Sequence, residues 1–324
     1  MKILVVDDEP IFLELIKKYL GAMGYNDIHT VPSAIKALET IGKSQRSFDC
    51  CLLDIRMPDI DGVELCRMIR SLPGYGAVPI VMITSMTDKS YIDHAFQAGA
   101  NDYVTKPIDT TELSARMGMV KALVAERANA GRLTKELEET SFGGHGSFKF
   151  EDSLPLEDAG DTVLLSSLEN YLLRLGNIRL LGSAAVAFHV QNADLIYDQT
   201  DLLEFADIMC EVALAIKECL IGVNHLLAYV GSGDFCCIQP RTGYFDTSEF
   251  QIAVNDKVAQ RLGALEWMNV ALPALKVGNP CSNGLVSFND PTDLIYKSIH
   301  DARKQPGKIL GSRNSHLERS LNVG

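Results

Sequence analysis

No apolar run in the chain approaches the ~20 residues needed to cross a bilayer, so membrane insertion is not expected. The opening stretch, MKILVVDDEP, is apolar for only four residues before it meets acids, which does not suit a signal peptide. Basic residues are in deficit: 30 Lys and Arg stand against 42 Asp and Glu, a formal net charge of −12. That balance excludes a general nucleic-acid or anionic-membrane surface, since both need clustered cations, and no basic recognition helix is visible. The eight cysteines occur singly or as CC pairs, with no C-x-x-C anywhere. Such spacing suits reduced thiols in a cytoplasm better than disulfides or a zinc site. What is present is ordinary globular material, 47% hydrophobic and 22% charged, in 324 residues. That length favours two domains.

The first 125 residues alternate short apolar runs with amphipathic stretches. KILVV (2–6), DIHTV, DCCLLDI, PIVMITS and DYVTKP read as strands. IFLELIKKYLGAMG, with Gly24 as its stop, reads as a helix, and SAIKALETIG as another with Ser33 as its cap. Two further helical patterns cover about Val63 to Ile69 and Asp88 to Ala98. This alternation implies a parallel sheet covered on both faces, with function gathered at the carboxyl ends of the strands.

Asp7 and Asp8 end the first strand, Asp54 the third and Thr84 the fourth, while the fifth runs into Lys106–Pro107. Asp is a common turn residue, which explains any one of these acids. It does not explain all of them together with Thr84 and Lys106. Three carboxylates at one edge repel unless a cation neutralises them, and an oxygen-only ligand set suits Mg²⁺.

DD at 7–8, DIRMPDIDG at 54–62, MITS at 82–85 and GANDYVTKP at 99–107 closely resemble the receiver domain of two-component response regulators. The resemblance covers residues 1–125 and implies a flavodoxin-like (βα)5 fold. It implies Asp54 as phospho-acceptor and Mg²⁺ held by Asp8, Asp54 and the Arg56 carbonyl, with Asp7 reaching it through water. It further implies Thr84 and Lys106 on the phosphoryl group, Tyr103 as a switch aromatic, and a cis Lys106–Pro107 peptide. The implied donor is a sensor histidine kinase or a phosphotransfer protein.

Asp109-x-x-Glu112 is a capping-box signal for the helix that follows. Leu113, Met117, Val120 and Val124 then recur at alternating steps of four and three. The seam reads either as a homodimer coiled coil or as the sheet-facing side of the last receiver helix. Residues 126–160 read as a helical extension followed by a flexible linker, 141–160 being rich in Gly, Ser and acids.

Residues 161–312 form the second unit, and 313–324 a tail. The pattern runs from a helix (162–175) through strand SAAVAFHV (183–190) and helix LLEFADIMCEVALAIKECL (202–220) to HLLAYV, the turn VGSGDF and FCCIQP. A helix (249–262), strand-like KVGNPC (276–281), GLVSF (284–288) and a last helix (292–305) complete it. VGSGDFCCIQP and IHDARKQPG resemble the signature hairpin and closing helix of GGDEF diguanylate cyclase domains, which implies a nucleotide-cyclase-like α/β fold.

The departures are concentrated at that family's site. Aligned with Y-G-G-D/E-E-F, the hairpin reads Gly231, Ser232, Gly233, Asp234, Phe235, so the metal-binding third position has lost its carboxylate. His189 stands at the other metal-Asp position, Tyr197 at the base-reading Asn and Ala206 near the guanine-reading Asp. LIGVNH (220–225) contains no Arg for a product-inhibition site. Losing a single charge-stabilising group commonly lowers a rate by ~10²–10⁴. The expectation is a degenerate, catalytically inactive GGDEF-like output acting through a downstream protein partner. The alternatives are an atypical diguanylate cyclase or GTP-binding sensor, and a dimerisation scaffold that leaves the receiver as effector. Vicinal Cys236 and Cys237 should face opposite sides of their strand and cannot chelate one ion together.

Overall fold

The computed structural model of the protein describes residues 1–85, 89–139, 148–154, 156, 159, 162–241, 246–263, 271–282 and 290–306. Five apolar runs form one sheet: β1 (Lys2–Val6), β2 (Asp27–Val31), β3 (Cys50–Asp54), β4 (Ile80–Thr84) and β5 (Asp102–Thr105). All pairings are parallel, in the order β2-β1-β3-β4-β5. The strands β3 and β4 are buried along their whole length, which is why CCLLD and IVMIT show no polar alternation. Helices α1 (Pro10–Ala22), α2 (Ala34–Lys43), α3 (Gly62–Arg70), α4 (Lys89–Gln97) and α5 (Thr110–Glu139) cover the two faces. Ile3 and Val5 face one core and Leu4 and Val6 the other, as the twofold strand period requires. This is the doubly wound, flavodoxin-like order.

Local signals mostly act where the sequence puts them. The Ser33 side chain accepts from the Lys36 N–H and starts α2. Asp109 accepts from the Thr111 and Glu112 N–H groups at 2.7 and 2.9 Å, but the Glu112 carboxylate turns to Arg174 at 3.1 Å. Leu113, Met117 and Val120 are buried against their own sheet, with Val124 packed at its margin. Over 113–124 the seam is therefore the sheet-facing side of α5 and not a coiled-coil stripe, because the parallel sheet needs that face covered.

The second half contains α6 (Leu165–Leu180), β6 (Ser183–Val190), α7 (Ala193–Gln199), α8 (Leu202–Cys219), β7 (Leu226–Gly231), β8 (Asp234–Pro240), α9 (Thr247–Leu262), β9 (Leu275–Val277) and α10 (Asp293–Lys304). Its sheet runs β7-β8-β6-β9, antiparallel throughout. The expected strand at 276–281 ends at Val277; the Gly278 N–H still reaches the Ala187 carbonyl of β6 at 2.8 Å, Asn279 and Pro280 interrupt the ladder, and pairing resumes at the Ala185–Cys281 bridge. Residues 284–288 and the 313–324 tail lie outside the described residues. Cys236 and Cys237 enter opposite cores.

Within the stretch expected to be a free joint, the described residues 148–154 are packed. Phe148, Phe150 and Leu154 pack onto the core beneath α8, and the Phe150 carbonyl accepts from the Ser232 N–H at 2.8 Å. The two aromatics of the short run FKF supply the apolar surface that anchors residues 148–154. The two halves also share a core. Leu168, Tyr171, Leu172 and Leu175 of α6 join Phe96 of α4, Tyr103 of β5, and Ala185 and Cys236 of the second sheet. Among the described residues, no helix is long and apolar enough to cross a membrane.

Candidate functional site

At the carboxyl end of the parallel sheet, register brings the acids together. β1 and β3 are neighbours, so the chain turns at Asp7 and Asp8 beside Asp54. Their oxygens lie within 4.8 Å of one another. Asp7 and Asp54 are buried and Asp8 is exposed. β4 and β5 bring the other members: Thr84, itself buried, pairs in register with Thr105, and its carbonyl accepts from the Lys106 N–H at 2.7 Å. That bond fixes the root of the Lys106 side chain. The following Lys106–Pro107 peptide is cis.

The Lys106 ammonium lies 2.8 Å from Asp7 Oδ2 and 2.8 Å from Asp54 Oδ1, over the Phe12 ring at 4.2 Å from its centroid. Burial pushes the Asp54 carboxyl up to about 6; the Lys106 hydrogen bond and the Arg56 N–H oppose the rise, and neighbouring Asp7 adds to it. Asp7 is likewise raised, by burial first, against its bonds to Lys106 and the Glu9 N–H. Burial alone would lower Lys106, but its bonds to Asp54 and Asp7 outweigh it and hold the ammonium above its ordinary value. One ammonium thus faces a cluster of three acids. Within the described residues, buried Asp7 Oδ2 has its contact with the shared Lys106 ammonium at 2.8 Å. An under-compensated, oxygen-only set of this kind fits a divalent cation such as Mg²⁺. Asp7, Asp8 and Asp54 would hold it, beside the Arg56 backbone.

The second set of residues falls at the β7–β8 hairpin. Gly231 and Gly233 have φ of +108° and +74°, and a Cβ on either would lie 2.2 Å from the Glu151 carbonyl or 2.3 Å from Ala193 Cβ. Ser232 also takes a left-handed conformation, φ +55°. Asp234 pairs in register with His189 across β6 and β8. Its buried carboxylate accepts from His189 Nδ1 at 2.8 Å and from Arg303 Nη2 at 2.5 Å and Nε at 3.1 Å. His189 is therefore a satisfied strand-end histidine, and Asp234 is neutralised by its own chain. Phe235 is buried, edge-on to Tyr229 with ring centroids 5.1 Å apart. Tyr197 donates to the Phe148 carbonyl at 2.7 Å, and its ring lies 5.5 Å from Phe150 and 5.3 Å from Phe205.

The acidic site and its sheet define a receiver, and comparison with known proteins agrees. The model of the response regulator receiver domain matches residues 3–118. Over 120 residues the chain is 31% identical to chemotaxis protein CheY1 of Helicobacter pylori, covering 37% of this chain and 96% of that protein. It is 38% identical over 124 residues to transcriptional regulatory protein ResD of Bacillus subtilis, covering 38% of this chain but 48% of ResD. The chain thus spans about half the length of ResD, and equally of DNA-binding response regulator MtrA of Mycolicibacterium smegmatis, at 48%. Among solved structures, chemotaxis protein CheY4 of Vibrio cholerae is 27% identical, covering 37% of this chain and 97% of that one, with a TM-score of 0.35. Through residues 3–118 the chain belongs to the response regulator receiver family of two-component signalling. Receiver domains bind Mg²⁺ at such an acidic pocket and interact with histidine kinases or phosphotransfer proteins.

Sequence reasoning missed three residues here. Phe12 lies within an ordinary amphipathic helix, with no sign that its ring would carry an ammonium. Arg303 sits in the quoted IHDARKQPG stretch, but its pairing with Asp234 depends on α10 crossing β6 and β8. Arg174 gives no local signal, because its partners Asp102, Tyr103 and Glu112 lie over 60 positions away.

Proposed function

We propose that the protein is a phosphorylation-controlled response regulator in which Asp54 accepts a phosphoryl group from a histidine kinase or phosphotransfer protein, and whose output is a catalytically inactive GGDEF-like unit acting through protein contacts. The observation that carries the first part is Lys106 held between Asp7 and Asp54 beside exposed Asp8. An Asp54 carboxylate oxygen forms the new O–P bond while the N–P bond of phosphohistidine breaks, and the imidazole leaves with the electron pair. Such transfer needs positioning and charge neutralisation more than covalent help. Lys106 supplies one positive charge to the phosphoryl oxygens, and Mg²⁺, when bound, supplies the remainder. The Thr84 hydroxyl, at the end of the neighbouring strand, is a hydrogen-bond donor for a phosphoryl oxygen.

For the output, supporting observations lie around the hairpin. The acid at 234 is tied to His189 and Arg303, so it has little charge left for a metal ion. Where the resemblance puts base recognition, Tyr197 is engaged with Phe148 and Phe150 of the same chain. Calorimetry with GTP and Mg²⁺ on the full chain tests this part, together with an assay for cyclic-di-GMP. No heat at millimolar nucleotide and no product are expected. GTP turnover abolished by Asp234→Ala would overturn it and favour an atypical cyclase.

A further inference from the structure

The first turn of α1 directs Ile11 out to solvent, 86% exposed, and Phe12 inward, 8% exposed. Pro10 at the first helical position and the Leu13 N–H bond to the Glu9 carbonyl at 3.1 Å fix that turn. Phe12 joins the core that contains Val5, Ile83 and Val104, with Ile108 packed against it. Those strand residues stand one or two positions before Asp7, Thr84 and Lys106, so this core underlies the acidic site. Its ring face meets the Lys106 ammonium, with Nζ 4.2 Å from the ring centroid. That is well inside the ~6 Å reach of a cation–π contact. The Lys106 side chain is only 16% exposed, and such a contact strengthens as water is excluded.

The ring differs in kind from the other partners of the ammonium. Asp7 and Asp54 are carboxylates on which Mg²⁺, when bound, also draws, and one Asp54 oxygen enters the new O–P bond. Phe12 takes no part in either event, and its hold on the ammonium survives both. The bond from the Lys106 N–H to the Thr84 carbonyl fixes the root of the side chain but not its head. A lysine stem is flexible, and its strongly hydrated ammonium otherwise swings out to water.

We infer that Phe12 is a positioning residue for phosphoryl transfer: its ring keeps the Lys106 ammonium facing Asp54 while the carboxylates are committed to a cation, so positive charge is in place where the phosphoryl oxygens arrive. A preplaced charge needs no reorganisation at the moment of reaction. A protein whose competent state is only partly populated binds its ligand more weakly by that fraction. A chain without the ring should therefore bind a phosphoryl mimic less tightly. The inference rests on the phosphoacceptor reading of Asp54.

Stepwise fluorination of the ring tests it, because fluorine weakens the negative ring face and barely changes its size. The full chain with mono-, di- or trifluorophenylalanine at position 12 is titrated calorimetrically with beryllofluoride in the presence of Mg²⁺. Affinity should fall with each fluorine, to about five-fold below wild type for the trifluoro ring, and Phe12→Leu should bind about five- to ten-fold more weakly. If Phe12→Leu does not fold, the near-isosteric fluorine series decides. A second readout needs no phosphoryl mimic. In the nuclear magnetic resonance spectrum the Lys106 ε-methylene protons, shifted upfield by the ring in the metal-free protein, should stay so when Mg²⁺ alone is added. A role in packing alone would make affinity follow the melting temperature and ignore the fluorine count. Equal or rising affinity across the series, or an ε-methylene signal that returns to its ordinary position with Mg²⁺, overturns the inference while the phosphoacceptor reading stands. Absence of beryllofluoride binding by wild type and variants alike overturns both.

Discussion

Lys106 and Asp54 approach to 2.8 Å between Nζ and Oδ1, and the same ammonium lies equally close to Asp7. The pairing leaves Asp54 with a carboxyl raised to about 6, chiefly by burial. A folded chain that prefers the protonated acid loses stability as that acid ionises. The contribution is fully present below the ordinary value of 3.8 and is lost as pH rises through about 6. In EDTA, Asp54→Asn should therefore be more stable than wild type at pH 8 by about 1–3 kcal/mol, with the gain vanishing near pH 4. Denaturant melts at the two pH values check this.

Removing the ammonium has the opposite effect. Lys106→Met leaves Asp7 and Asp54 buried without their shared cation, and should destabilise the metal-free protein by about 3 kcal/mol at pH 8. The loss should shrink as pH falls and both acids protonate. Mg²⁺ should restore part of it, since the ion supplies the missing charge. Thermal melts with and without Mg²⁺ at pH 5 and pH 8 separate the terms.

Metal binding itself should follow Asp54. Because a ligand carboxylate must be ionised, Mg²⁺ affinity should decline below about pH 6, approaching about ten-fold per pH unit. A calorimetric titration series from pH 5 to pH 8 measures it. An affinity indifferent to pH over that range would exclude Asp54 as a ligand.

At the hairpin, Gly231→Ala should destabilise by about 2–4 kcal/mol, because its Cβ would lie 2.2 Å from the Glu151 carbonyl at a φ of +108°. The strain falls on the segment around Phe150 as well as on the turn. Proteolysis near 148–152 should accelerate in the variant, and the first sheet should be unaffected in hydrogen exchange.

The receiver was readable because its signals are local and redundant. Asp7, Asp8, Asp54, Thr84 and Lys106 each follow an apolar strand run, and a parallel sheet gathers all strand ends on one edge. The seam through Leu113, Met117 and Val120 was ambiguous, since a sheet-facing helix and a coiled coil present the same spacing. The packing of Phe148 and Phe150 was hidden by the Gly- and Ser-rich residues before them. Arg174 and Arg303 were illegible for a different reason: their acceptors are distant in sequence, and nothing near either arginine records them.

The most direct measurement is intact-mass analysis of the full chain after incubation with Mg²⁺ and a small-molecule phosphodonor such as acetyl phosphate. Wild type should gain the mass of one phosphoryl group, labile to hydroxylamine as an acyl phosphate is, while Asp54→Asn gains none. A phosphoryl group that persists in Asp54→Asn, or its complete absence from folded wild type, would contradict the assignment of Asp54 as the acceptor.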